Sequence, residues 1–99
     1  MVRHIVLWRL NGATPADRQR QAAEIKVALE GLHGRIPGLL KIEVGIDFSA
    51  SPDSADIALY SEFASREALD AYHHHPEHLR VAPLVKEART ERRVVDYED

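Results

Sequence analysis

From Leu40 the chain alternates: Leu40, Ile42, Val44, Ile46 and Phe48 are apolar, while Lys41, Glu43, Gly45 and Asp47 are not. A period of two predicts a strand with one buried face and one wet face. Residues 4–10 also read as a strand, but here both faces, His4/Val6/Trp8/Leu10 and Ile5/Leu7/Arg9, are largely apolar. A strand covered on both sides belongs in the middle of its sheet. The same holds for a third strand at about 56–63, with Ile57, Leu59 and Phe63 on one face and Ala58 and Tyr60 on the other. A fourth strand is predicted at about 91–97, around Val94, Val95 and Tyr97.

Between these runs the period lengthens. Thr14 reads as an N-cap with Pro15 at the first helical position. The helix is expected to reach about His33, with Ala22, Ile25, Leu29 and Leu32 as its buried stripe and Gly34 as the left-handed residue past its end. Pro37-Gly38 is a further break. Ser65 caps a short helix carrying Ala68, Leu69 and Tyr72. Pro76 interrupts it, because a proline pushes the residue before it away from helical angles. A second helical piece follows with Leu79, Val81, Leu84 and Val85, which Pro83 is expected to kink or restart.

The order is strand, helix, strand, strand, broken helix, strand. That is the βαββαβ pattern of a ferredoxin-like α+β domain with a four-stranded antiparallel sheet, here one domain over residues 1–99. Helices can cover only one face of such a sheet. Ile5, Leu7, Tyr60, Val95 and Tyr97 fall on the other face, and a second copy of the sheet is the simplest cover for them, giving a homodimer.

Composition narrows the function classes. Sixteen acidic residues against thirteen Lys and Arg give a formal net charge of −3, which argues against nucleic acid as a partner. Cysteine is absent, which excludes disulfides, thiolate metal sites and a Cys nucleophile. The apolar run Ile5–Trp8 lies between Arg3 and Arg9 and is too short for a signal core or a membrane span. The cytoplasm is therefore the expected location. No phosphate-binding glycine loop, dinucleotide fingerprint or nucleophile elbow is present.

The chemistry-bearing residues gather in Tyr72-His73-His74-His75-Pro76-Glu77-His78. His74 and His78 have the i, i+4 spacing of metal ligands, but Pro76 lies between them and no second ligand cluster exists, so no metal is expected. For acid–base chemistry, His78 can exchange a proton near neutrality and the Tyr72 hydroxyl can polarise a carbonyl. In a continuous helix six residues advance about 600°, leaving the two roughly 120° apart. Pro76 supplies the change of direction that lets them converge, and His4 joins them if its strand face looks toward the helices. In a purely structural reading, His75 caps the second helical piece, His73 and His74 are solvated, and Tyr72 packs helix onto sheet.

These pieces also carry a family resemblance. His4-Ile5-Val6-Leu7, Ile36-Pro37-Gly38, Glu43-Val44-Gly45, Asp47-Phe48-Ser49 and Ser61-Glu62-Phe63 are followed by Leu69-Asp70-Ala71-Tyr72, His75-Pro76-Glu77-His78 and Val94-Val95-Asp96-Tyr97-Glu98. Together they span nearly the whole chain, which resembles the stress-responsive A/B barrel (dimeric A/B barrel, or Dabb) family. The resemblance implies a homodimer whose two sheets face each other as an α+β barrel with the helices outside. The family includes plant stress proteins, bacterial proteins of unassigned role and a plant polyketide cyclase. In that cyclase a Tyr and a His act as an acid–base pair in a cavity between sheet and helices. They fall on Tyr72 and His78, and a first-strand His falls on His4. His73, His74, Arg89 and Arg92 depart from the cyclase pattern and suit a smaller or more polar ligand.

The resulting expectation is a small-molecule pocket in each subunit. His78 would be the general acid or base, Tyr72 its hydrogen-bonding partner and His4 a polar orienter, with Val6, Trp8 and Leu59 as apolar wall. The chemistry would be cofactor-free proton transfer at a carbonyl compound. A non-catalytic stress or structural dimer and a dimeric-barrel monooxygenase are the alternatives.

Overall fold

The two strands that are apolar on both faces take the centre of the sheet. In the computed structural model, which describes residues 1–99, the chain runs β1 (Val2–Leu10), α1 (Pro15–Glu30), β2 (Leu39–Ile46), β3 (Ile57–Phe63), α2 (Arg66–His74), α3 (Pro76–Ala88) and β4 (Arg89–Glu98). The strands form one antiparallel sheet in the order β2-β3-β1-β4. This is the ferredoxin-like βαββαβ arrangement. Helices pack on one face, over Val6, Trp8, Leu59 and Phe63, and supply Ile25, Leu29, Leu32, Val81 and Val85 to the shared core. The opposite face carries Ile5, Ala58 and Tyr60, half-buried, beside Leu7, Val95 and Tyr97, which are exposed.

The caps behave as the sequence predicts. The Thr14 hydroxyl accepts from the Asp17 amide and the Ser65 hydroxyl from the Ala68 amide, each at 3.1 Å. Other expectations need correction. The first helix ends at Glu30 rather than near His33, because Gly31 favours a break and the chain continues in i→i−3 turns through Arg35. Leu32 is still buried, and Gly34 takes its left-handed conformation (φ +79°) within that tail. Pro83 neither ends nor restarts α3, which runs unbroken from Pro76 to Ala88.

The largest deviation is in β2. The pairing register slips between Leu39 and Lys41. Leu40 becomes the extra residue of a bulge and turns outward, while Leu39 takes the inward place. Of the alternating set only Ile42 and Val44 are buried, and Phe48 lies beyond the strand in solvent.

Two contacts fix the helices to the sheet. Gly38 sits at φ +82°, and a Cβ there would come within 2.6 Å of Ala68 Cβ, so only glycine admits α2 this close. Near the end of α1, Glu30 accepts the Val44 amide (2.9 Å), while Lys26 donates to the Val44 carbonyl (2.6 Å) and to Glu30 (2.7 Å).

Candidate functional site

Tyr72 and His78 belong to different helices, and the break between them brings them together. His75 is extended (φ −68°, ψ 137°), which ends α2, and Pro76 opens α3 in a new direction. The His75 Nδ1 accepts the Glu77 amide at 3.0 Å and caps the new helix. The Tyr72 and His78 rings consequently lie 4.5 Å apart between centroids, at 51°. His73 completes the group, 5.4 Å from Tyr72 and 5.7 Å from His78. His74 turns away, its Nδ1 donating to the Asp70 carbonyl at 2.9 Å.

The face alternation of β1 decides where His4 points. His4 shares the helix-facing side with Val6 and Trp8, is buried, and lies 5.4 Å from His73 and 6.4 Å from Tyr72 between ring centroids. Its register partner on β4 is Asp96, and the His4 Nδ1–H donates to that carboxylate. A carboxylate only accepts, so the contact places the proton on Nδ1 and fixes the ring's orientation.

A cavity of about 450 Å³ lies between the sheet and α2–α3, with His4, Val6, Trp8, Leu59, Tyr72 and His78 all on its wall. That volume suits a small organic ligand. Three residues of this wall each hold a buried polar atom with no protein partner: Trp8 Nε1, the Tyr72 hydroxyl and His78 Nδ1. A buried polar group left unpaired costs about 1–3 kcal/mol, so an interior keeps few of them. Here three belong to residues that line one cavity.

Burial sets their protonation. Desolvation pushes the Tyr72 hydroxyl up to about 12, so it stays protonated and can donate. His78 is lowered from the ordinary histidine value, first by desolvation and then by the charge of His73. His73 is lowered in the same way, by desolvation and then by His4. At neutral pH His78 is therefore a neutral base facing a protonated phenol.

The sequence reading does not single out Asp96, although pairing β4 against β1 would have placed a carboxylate opposite His4 on the helix-facing side. Its structural reading leaves His73 solvated, whereas the ring is half-buried on the cavity wall. The cavity wall further includes Lys86, Glu87, Arg89 and Arg92 from the end of α3 and the start of β4. Nothing in the sequence singles out the first two.

The stress responsive A/B barrel domain model matches residues 2–99. An uncharacterised protein of Streptomyces coelicolor is 34% identical over 90 residues, 91% of this chain and 92% of its own length. Among solved structures, a dimeric protein of unknown function and ferredoxin-like fold from Bacteroides fragilis aligns with a TM-score of 0.88 at 35% identity, covering 99% of this chain and 95% of that one. A dimeric ferredoxin-like protein of unknown function from Thermobifida fusca aligns at 0.82 and 27%, covering 97% and 88% respectively.

Proposed function

The chain belongs to the stress-responsive A/B barrel family, and from that premise we propose that it is a homodimer in which each subunit performs cofactor-free acid–base chemistry on a small carbonyl compound. The observation that carries the reading is that a neutral His78, a protonated Tyr72 and Trp8, each holding a buried polar atom with no partner, line one cavity. His78 takes a proton from the carbon next to the carbonyl. As the C–H electrons move into the enolate, the Tyr72 hydroxyl and the Trp8 N–H hydrogen-bond the oxygen that gains charge. The enolate carbon attacks a second carbonyl, and the imidazolium of His78 returns its proton to the alkoxide that forms. His4, oriented by Asp96, borders the His73 side of this array. Val6, Trp8 and Leu59 form the apolar wall that excludes water.

Acetylacetone in deuterium oxide tests the first step without knowledge of the natural substrate. The protein is expected to speed exchange at the central carbon, followed by proton NMR. General-base contributions run to about 100-fold or more, and His78→Ala should lose an effect of that order while Tyr72→Phe loses less. Melting temperature and dimer should be nearly unchanged in both. Exchange by His78→Ala at the wild-type rate, in a folded protein, would end the catalytic reading.

One observation favours a second reading. Tyr72 is 1% exposed and packs edge-on against Phe63 at 4.9 Å, as a residue pinning α2 to the sheet would. In a non-catalytic stress or structural dimer, Tyr72→Ala and His78→Ala would destabilise the fold, whereas Tyr72→Phe, which keeps the ring and removes only an unpartnered hydroxyl, would leave it intact.

A further inference from the structure

Where α3 passes into β4, the cavity wall carries Lys86, Arg89 and Arg92. None of them joins an ion pair. Carboxylates outnumber Lys and Arg by sixteen to thirteen in this chain, so a shortage of acidic partners does not explain three unpaired cations on one wall. The opposing charges nearby are Glu87, on the same wall, and Asp96, which is held by His4. The wall is therefore positive in balance. Arg92 is the register partner of Trp8 across β1 and β4, which puts it on the helix-facing side beside a residue with an unpartnered donor. Its charge also reaches into the cavity, where it is among the influences that lower His73 and His78.

We propose that the ligand is a small carbonyl compound bearing an oxyanion, with the oxyanion at Lys86, Arg89 and Arg92 and the carbonyl at Tyr72 and His78. This inference rests on the acid–base reading of the same site and names its substrate class. A guanidinium offers a planar fork of N–H donors matched to a carboxylate or a phosphate. An enolate adds a second negative charge to such a ligand, and cations on the cavity wall favour it as well.

The chain's only tryptophan, Trp8, lines the cavity, so its fluorescence reports occupancy of the cavity. The probes are acetoacetate, its neutral methyl ester, and acetonyl phosphate. Acetoacetate or acetonyl phosphate, or both, should bind at least about tenfold more tightly than the ester at low salt, with the advantage falling as salt rises. Which oxyanion binds more tightly identifies whether the site reads a carboxylate or a phosphate ester. In the double variant Arg89→Gln/Arg92→Gln, with its fold checked by circular dichroism, that advantage should disappear. Equal binding of ester and anions by the wild type would overturn the oxyanion assignment and leave the carbonyl site standing. An advantage that survives in the double variant would overturn the placement at these arginines. Failure of all three probes to perturb Trp8 would overturn the carbonyl site and this inference with it.

Discussion

At the scale of single residues, the site depends on two groups moved apart in protonation by the same physical cause. Burial lowers His78 and raises Tyr72 to about 12, because desolvation penalises imidazolium and phenolate alike. The pH dependence follows with a definite sign. His78 must be neutral to act as a base, so the rate falls as pH drops through its depressed pKa, below the usual histidine value of about 6.5. Tyr72 must keep its proton, so the alkaline limb lies near its own pKa. Acetylacetone exchange is expected to be flat across the neutral and mildly alkaline range and to decline only below it. An acid limb above the ordinary histidine range would contradict a desolvated, neutral base. His4 and Asp96 show the limit of residue-level reading. A histidine in an apolar run was legible as helix-facing, but its partner lies 92 positions away and is selected only by strand register.

At the scale of elements, most of the fold was legible because the signals agreed. Thr14-Pro15, Ser65 and Pro76 mark helix starts by caps and missing donors, and all three hold in the structure. The convergence of Tyr72 and His78 was legible for the same reason, since only a break at Pro76 allows it. The β2 bulge was not, because Leu39 and Leu40 are both apolar and either can fill the inward place; pairing with Phe63 and Glu62 decides between them. The start of β4 was missed as well. Arg89 and Thr90 have no apolar alternation, and Arg89 joins the sheet through pairing with Leu10 across a register shift that leaves Thr90 without a partner. Of the cationic wall, Arg89 and Arg92 were legible as departures suited to a more polar ligand, but Lys86 was not, because the sequence does not reveal which side chains gather on one wall.

At the scale of the whole molecule, the sheet face turned away from the helices is the least satisfied surface. Val95 is 58% exposed and Tyr97 46%, close to Ile5, Leu7 and Tyr60. Pairing with a second copy would bury this patch and is the assembly proposed above. Val95→Asp should leave the protomer folded, since the side chain is already open to solvent. Placing a carboxylate in an apolar interface should shift the sedimenting mass from twice 11.2 kDa to 11.2 kDa; a mass unchanged at micromolar concentration would exclude this face as the interface. The Lys26–Glu30 grip on Val44 has a different consequence. In the order β2-β3-β1-β4, β2 is a border strand, and Val44 offers its amide and carbonyl away from β3. A border strand with free backbone groups invites a foreign strand to add on and seed fibrils. Lys26 and Glu30 occupy both groups at the middle of that border, so an incoming strand would have to displace an ion pair before it could register. Glu30→Ala should unblock the border, and thioflavin-positive aggregates should form sooner than in the wild type under agitation. Equal lag times would mean that this clamp protects nothing.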